Sequence, residues 1–273
     1  MPELPEVETI CNELRSHVIN KHVKDLNRLT AHNLRRPIPL NIKAVIGASI
    51  VSIVRRAKYI QVSLSNDLVL IMHLGMSGKI LLKNFEYIPQ KHDHLMIDFN
   101  DGQKLIYHDP RRFGLVDLIR QDELTAYSLF KNLGIEPFSK DFTSSYLANL
   151  LSGKKKPIKL AIMDNANIVG VGNIYASESL FLAKVSPTRV ASSLTGEEVK
   201  LLHKNILYIL DESIKKGGST LKDYANVNGE KGYFQNSFKV YGRDKNPCAV
   251  CKIPIEKITQ GGRSSFYCSS CQK

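Results

Sequence analysis

The sequence has no long apolar run, no basic and apolar leader segment, no internal repeat and no low-complexity tract. No stretch approaches the ~20 apolar residues that a membrane-spanning helix requires. The chain starts with acidic residues, whereas a secretory signal starts with basic residues before an apolar segment. We therefore expect a soluble, cytoplasmic protein. Its 273 residues are enough for two domains with separate cores.

Cysteine is also scarce, and its distribution argues against a disulfide framework in such a compartment. Four of the five cysteines form two CxxC pairs, Cys248 with Cys251 and Cys268 with Cys271, separated by sixteen residues. Two such turns can complete a tetrahedral zinc site and leave no position open for a substrate, so we predict one structural Zn²⁺. A thioredoxin-like redox role would need one CxxC near a βαβ unit, and the sequence pattern indicates no such unit here. We expect Cys11 to be a buried apolar residue.

Acidic residues are fewer than basic residues in this chain. The chain has 38 Lys and Arg against 26 Asp and Glu, which gives a formal net charge of +12. This balance is typical of a protein that binds nucleic acid or an anionic membrane surface, although lysines also simply solubilise a surface. Gly261, Gly262 and Arg263 lie between the two cysteine pairs. Because glycines let a backbone approach a phosphate closely, we favour nucleic-acid contact there over a solvated turn.

The apolar pattern indicates strands in the first half of the chain, after one opening helix. Asn100, Asp101 and Gly102 indicate a hairpin turn between two of these strands. Since no helices lie between the strands, an antiparallel sandwich or barrel is favoured over a parallel sheet. The predicted strands are 44–54, 59–64, 68–73, 94–99 and 104–107.

The second half is predicted to be helical, after a linker at 134–142. Segments 143–151 and 173–183 have helical character, and Pro157 can begin a further helix. Thr195 and Glu198 have capping-box spacing at the start of another helix, which glycines 217 and 218 end.

The start of the chain carries the strongest indication of chemistry. If Met1 is removed, Pro2 presents a secondary amine with a pKa of about 8, and such amines form iminium intermediates with carbon electrophiles. Glu3, Glu6 and Glu8 follow, and a neighbouring carboxyl can move the protons that this step needs. The alternative is ordinary helix-start chemistry, which the residues alone favour.

Four sequence blocks occur together with the cysteine pairs. They are residues 1–8 (MPELPEVE), 73–78 (HLGMSG), 109–114 (DPRRFG) and 169–176 (VGVGNIYA). The set closely resembles the bacterial formamidopyrimidine-DNA glycosylase family, which repairs oxidised purines, and the resemblance spans the whole chain. The related endonuclease VIII group usually has Gly where this chain has Leu4, and it lacks the PRRFG block. The chain is therefore assigned to the purine-lesion branch.

The resemblance implies a bifunctional DNA glycosylase and abasic-site lyase that takes the damaged nucleotide out of the duplex. Pro2 would attack the sugar C1′, and Glu3 would protonate the opening sugar ring. β- and δ-elimination would then cut the strand on both sides. Lys58 matches a lysine that acts in β-elimination, Arg263 matches a fingertip arginine linked to δ-elimination, and Glu6 matches a carboxylate that lines the site.

The resemblance also implies contacts with double-stranded DNA. Met76, Arg111 and Phe113 match side chains that fill the gap left by the extruded base. His92, Lys155 and Asn173 match contacts to the DNA backbone, and segment 219–233 matches a lesion-capping loop. Without the resemblance, Met76 and Phe113 would be core residues, and Lys58 would be a strand-end lysine that only binds phosphate.

The predicted fold class is α+β, divided into three domains. Residues 1–133 form an N-terminal antiparallel β-sandwich with a flanking helix. Residues 134–238 form a helix–two-turn–helix domain, and residues 239–273 form a β-hairpin zinc finger. We expect a monomer. Two alternatives remain open: a zinc-ribbon module that binds nucleic acid without catalysis, and a related lyase that prefers oxidised pyrimidines.

Overall fold

The computed structural model describes residues 2–30, 33–219, 227 and 232–273. The chain forms two compact units, each built from two segments. The first unit is Met1–Lys131 with Lys216–Gln235, and the second is Asn132–Lys215 with Asn236–Lys273.

The first unit begins with helix α1 (Leu4–Val18), which packs against strand β2 (Ile50–Arg56). Apolar residues recur at helical spacing, and Val7, Ile10 and Leu14 have no exposed surface. Cys11 lies on the same face and is fully buried, as predicted. Burial raises the pKa of its thiol to about 12, so Cys11 is an inert core residue.

Among the described residues of this unit, eight strands follow α1 and form two antiparallel sheets of four strands each. Their orders are β1-β6-β7-β5 and β2-β3-β4-β8. Side chains from both sheets enter one apolar core, so the predicted sandwich is confirmed. The strands are β1 (Val23–Arg28), β2 (Ile50–Arg56), β3 (Tyr59–Leu64), β4 (Leu68–His73), β5 (Lys79–Lys83), β6 (Asp93–Phe99), β7 (Lys104–His108) and β8 (Leu115–Arg120).

The prediction from the sequence missed three strands and misplaced the start of a fourth. β1, β5 and β8 all lie at sheet edges. Edge strands carry exposed polar and charged side chains, which weaken the apolar pattern. The predicted strand 44–54 is wrong in its first half, because Leu40–Val45 forms a 3₁₀ helix and β2 begins only at Ile50. A second 3₁₀ helix, Gln121–Ala126, follows β8.

The second unit contains four α-helices and a two-stranded hairpin. The predicted helix starts are confirmed: the Thr143 hydroxyl accepts from Tyr146 N, and Thr195 and Glu198 form a capping box. No helix among the described residues is long and apolar enough to cross a membrane. The elements are α2 (Ser144–Leu151), α3 (Ile158–Ile162), α4 (Asn173–Leu182), α5 (Gly196–Lys215), β9 (Glu256–Gln260), β10 (Arg263–Tyr267) and the 3₁₀ helix Ala191–Ser193.

Candidate active site and metal centre

The start of α1 brings Pro2, Glu3 and Glu6 together as a buried group. Pro2 is buried, and Glu3 and Glu6 are only 3% and 1% exposed. Glu6 Oε2 accepts a hydrogen bond from Glu3 N (2.8 Å), and Glu6 Oε1 accepts from Ser219 N (2.8 Å) and Ser219 Oγ (2.9 Å). Buried carboxylates are costly unless they are hydrogen-bonded in this way. The imino acid therefore sits beside two carboxyl groups in a water-poor setting.

The contact between Glu6 and Ser219 was not expected from the sequence, since 213 positions separate the two residues. Ser219 begins the predicted lesion-capping segment 219–233. Residues 220–226 and 228–231 of that segment lie outside the described residues. Val227 is described: it is buried, and its N–H donates to Glu13 Oε2 (2.9 Å).

Lys58 lies in the two-residue turn between β2 and β3 and is 8% exposed. The residue after it, Tyr59, pairs with His73 at the end of β4, and their rings are 4.6 Å apart. Burial, with the positive charges of Arg35 and Lys58, lowers the pKa of His73 from 6.5 to about 3. His73 Nδ1 accepts from Gly75 N (3.0 Å), which fits a neutral ring.

The two blocks HLGMSG and DPRRFG form adjacent loops joined by buried hydrogen bonds. The Asp109 carboxylate has no exposed surface, and it accepts from Ser77 Oγ (2.6 Å) and Gly114 N (2.8 Å). Ser77 Oγ in turn accepts from Arg111 N (3.2 Å). A side chain at Gly75 would come within 2.4 Å of the Phe113 carbonyl carbon, so only glycine allows this approach.

These joined loops expose the three side chains predicted to fill a vacated base position. Met76 is 38% exposed, Phe113 is 47% exposed, and the Arg111 guanidinium lies 5.0 Å from the Phe113 ring centre. The sequence alone suggested core positions for Met76 and Phe113, and the structure shows that interpretation to be wrong. Large side chains exposed on clamped loops are suited to stacking against an external partner.

His92 is connected to the same loops. Its carbonyl accepts from Asp109 N (3.0 Å), and its ring lies 6.0 Å from the ring of His108. His108 Nδ1 is 2.8 Å from Asp93 Oδ1. Although burial raises the pKa of Asp93, hydrogen bonds from His108, Gln90 and Tyr87 outweigh it and lower the pKa below its usual value. His92 therefore stands next to a buried carboxylate that stays ionised.

In the second unit, Asn173 at the start of α4 is tied to the strand that begins at Arg263. Asn173 Nδ2 donates to Ser264 O (2.9 Å). The hairpin tip before Arg263 has positive φ at Gly261 (54°) and Gly262 (72°), the pattern of a tight glycine turn. Arg263 is exposed beside this tip. The structure therefore brings two of the predicted DNA contacts to adjacent positions.

Lys159 on α3 is the residue that sequence reasoning missed. It is 1% exposed, and its Nζ donates to Asn173 Oδ1 (2.6 Å), Ser265 Oγ (2.7 Å) and Ser264 O (3.1 Å). The available signal was one charge in an otherwise apolar helix, residues 158–162 (IKLAI). By contrast, Lys155 is exposed, and within the described part of the chain no hydrogen bond joins it to Asn173 or Arg263.

The four cysteines of the two CxxC pairs form the predicted metal centre. Their Sγ atoms all lie within 4.8 Å of one another, with 3.9 Å between Cys248 and Cys271 and 3.4 Å between Cys251 and Cys268. A tetrahedron of thiolates about 2.3 Å from a zinc ion has edges of about 3.8 Å, so this donor set fits one structural Zn²⁺. The cysteines share an apolar cluster with Phe181, Val240, Ile255 and Phe266.

Three family sequence models match the chain in order. They are the formamidopyrimidine-DNA glycosylase N-terminal domain at residues 1–116, the formamidopyrimidine-DNA glycosylase H2TH domain at 133–225, and the zinc finger found in FPG and IleRS at 245–273. Proteins named formamidopyrimidine-DNA glycosylase are 47% identical in Wolbachia sp. subsp. Brugia malayi, over 100% of both chains, and 45% identical in Rickettsia africae, over 100% of this chain and 99% of the relative.

Solved structures agree with this assignment. A complex of Lactococcus lactis Fpg with DNA containing an abasic site is 35% identical, with a TM-score of 0.92 over 99% of both chains. A structure of MutM with DNA containing carbocyclic 8-oxo-G is also 35% identical, with a TM-score of 0.91 over 100% of both chains. The predicted α+β fold with its zinc finger is confirmed, and the chain belongs to the formamidopyrimidine-DNA glycosylase family.

Proposed function

We propose that this protein is a bifunctional DNA glycosylase and abasic-site lyase of base-excision repair. Its substrate is duplex DNA that contains oxidised purines, namely 8-oxoguanine and formamidopyrimidines. The observation that carries the proposal is the buried group of Pro2, Glu3 and Glu6 in a chain of this family. A DNA-binding module without catalysis would have no need to bury two carboxylates beside an imino acid.

The chemistry begins once Met1 has been removed. The neutral Pro2 nitrogen attacks the sugar C1′, and the bond from C1′ to the damaged base breaks with its electron pair going to the base. The Pro2 nitrogen gives up its proton to solvent, and the departing base takes up a proton in its place. Glu3 then donates a proton to the ring oxygen as the sugar opens, which leaves an iminium between Pro2 and C1′. The cationic nitrogen acidifies the C2′–H bond. Loss of that proton expels the 3′ phosphate, and a second elimination expels the 5′ phosphate.

The remaining predicted residues bind and orient the DNA. We assign Lys58 to the β-elimination step, and Arg263 to phosphate binding and δ-elimination. Glu6 lines the site. Met76, Arg111 and Phe113 occupy the space of the extruded base, which compensates for the few kcal/mol that extrusion costs. His92, Lys155 and Asn173 bind the DNA backbone.

We also propose which part of the chain performs each task and where in the cell the protein acts. Residues 1–133 carry the catalytic chemistry, while residues 134–238 and the zinc finger at 239–273 hold the duplex. The protein acts as a monomer in the bacterial cytoplasm and associates with the nucleoid through its DNA binding. The net charge of +12 favours attraction of the protein to DNA, which is a polyanion.

The decisive experiment traps the iminium with borohydride during reaction with an 8-oxoguanine duplex. We expect a covalent protein–DNA adduct whose link maps to Pro2, and Pro2→Gly should slow base release by at least about a hundredfold. The matched control is Pro5→Ala, which changes a proline in the first turn of α1 and keeps the terminal secondary amine of Pro2. Intact mass first establishes that Met1 is absent. An adduct on another side chain, or no adduct with processed protein, would refute the proposal.

A further inference from the structure

A partly buried ion-pair network connects α1 to the turn that carries Lys58. Glu8 on α1 accepts from Arg55 Nε (2.7 Å) through Oε2 and from Arg15 Nη1 (3.0 Å) through Oε1. The Arg55 side chain is only 7% exposed, and its Nη1 donates to the carbonyl of Ala57 (3.0 Å). One guanidinium therefore holds a carboxylate of the helix and a backbone carbonyl of the turn at the same time.

The turn itself has a conformation that its sequence does not favour. Arg56 pairs with Tyr59, so Ala57 and Lys58 are the two residues of a tight hairpin. Ala57 has φ of 54°, a left-handed conformation that costs a residue with a Cβ about 1 kcal/mol. Glycine is the residue preferred at such a position. An external contact is therefore expected to support this peptide, and Arg55 supplies one.

The carbonyl that Arg55 holds belongs to the peptide bond between Ala57 and Lys58. Fixing that peptide fixes the direction in which the Lys58 side chain leaves the backbone. Arginine suits this role because its planar guanidinium directs two N–H groups at once, whereas lysine acts as a point charge. Ion pairs, whether exposed or buried, add little net stability compared with apolar packing, so stability alone is a weak reason for this arrangement.

We infer that Arg55, oriented by Glu8, is a positioning residue that aims Lys58 for strand scission. Glu8 belongs to the helix whose first turn follows Pro2 and Glu3, so the Glu8–Arg55 pair sets the β2–β3 turn relative to that helix. The inference rests on the proposed function, because the role of Lys58 in β-elimination comes from there.

The test compares Arg55→Gln with Arg15→Gln on a duplex that contains a preformed abasic site. Both variants remove one guanidinium from Glu8, but Arg15 donates its other bonds to the Ile53 carbonyl and to Asn12 Oδ1, and not to the turn. At saturating enzyme, Arg55→Gln should slow single-turnover scission about tenfold, whereas Arg15→Gln should change it less than about twofold. Affinity for an uncleavable abasic analogue should be unchanged in both.

A double-mutant cycle separates positioning from general damage. In a Lys58→Ala background, Arg55→Gln should cause no further loss of scission, since it acts through Lys58. Arg55→Lys should give a scission rate between those of the wild type and Arg55→Gln. If Arg55→Gln fails to fold, Arg55→Lys is compared with Arg15→Gln in its place. Wild-type scission by Arg55→Gln, or independent effects in the cycle, would overturn the inference while the proposed function stands. No scission by the unaltered protein would overturn both.

Discussion

Individual side chains show how the sites are held. Among the described residues, six charged side chains with at most 3% exposure each make several hydrogen bonds or belong to a hydrogen-bonded cluster: Glu3, Glu6, Asp93, Asp109, Lys159 and Glu178. Glu178 accepts from three successive backbone N–H groups, those of residues 239–241. Burial nevertheless raises its pKa above the usual value. Removing such a group leaves its partners unsatisfied, so each one fixes the chain segments that it joins.

His73 gives a pH dependence of stability that can be measured. In the folded state its pKa is lowered from 6.5 to about 3, by burial first and then by the charges of Arg35 and Lys58. His73 in the unfolded chain therefore becomes protonated near pH 6.5, whereas in the folded chain it stays neutral until the pH approaches about 3. The free energy of unfolding should fall as pH drops from 6.5 towards 3, by at most about 2 kcal/mol at pH 5.

Urea denaturation at pH 7 and pH 5 checks this expectation. His73→Asn keeps an acceptor for Gly75 N but has no titration, so it should lose less stability than the wild type over this interval. His17→Asn, a histidine exposed on α1, is the control and should keep the wild-type difference. Equal losses for His73→Asn and wild type would contradict the assignment of the lowered pKa.

Helices and strands in the second unit are joined through polar contacts as much as through apolar packing. Lys159 connects α3 with the start of α4 and with β10. The hairpin tip also lies close to α3, because a Cβ at Gly261 would come within 3.0 Å of Leu160. The zinc finger is therefore fastened to the helices, and Asn173 and Arg263 depend on the same junction.

Two lysine substitutions distinguish a junction residue from a surface contact. Lys159→Met should destabilise the protein by about 2 kcal/mol, because three oxygens, one of them fully buried, lose a charged donor. Lys155→Met should leave stability unchanged, since Lys155 is exposed. It should instead reduce the slope of log affinity for DNA against log salt by about 1. Urea denaturation and salt titrations of DNA binding measure both effects, and a stable Lys159→Met protein would refute the junction.

Across the molecule as a whole, the two units have different sources of stability. The first has a sandwich core of side chains from α1 and both sheets. The second combines helices with a small cluster in which Cys248 and Cys268 are fully buried. So small a finger depends on its metal for folding. Zinc loss should consequently act on the second unit first.

Chelation with verified zinc loss should reduce DNA affinity by at least about tenfold, because the finger's phosphate contacts are lost. Hydrogen exchange should show lost protection in β9 and β10 and retained protection in β3 and β4. Restoring zinc should restore affinity, which serves as the control for irreversible damage. Undiminished binding by the zinc-free protein would show that the finger does not hold DNA.

The local sequence pattern was enough to predict the features that are formed by residues close together in the sequence. The zinc ligands follow from two CxxC turns, and α1 follows from its apolar spacing and its proline start. The helix caps at Thr143 and Thr195 were likewise predictable, because a cap bonds to the same helical turn. The net charge follows from composition alone.

Contacts between distant segments could not be read in this way. The edge strands β1, β5 and β8 have little pattern of their own and are defined by the strands beside them. The hydrogen bonds of Lys159 to Ser264 and Ser265, of Glu6 to Ser219, and of Ser77 to Asp109 depend on how remote segments pack. Composition and local spacing set which groups are present, but the long-range packing free energy sets which of them meet.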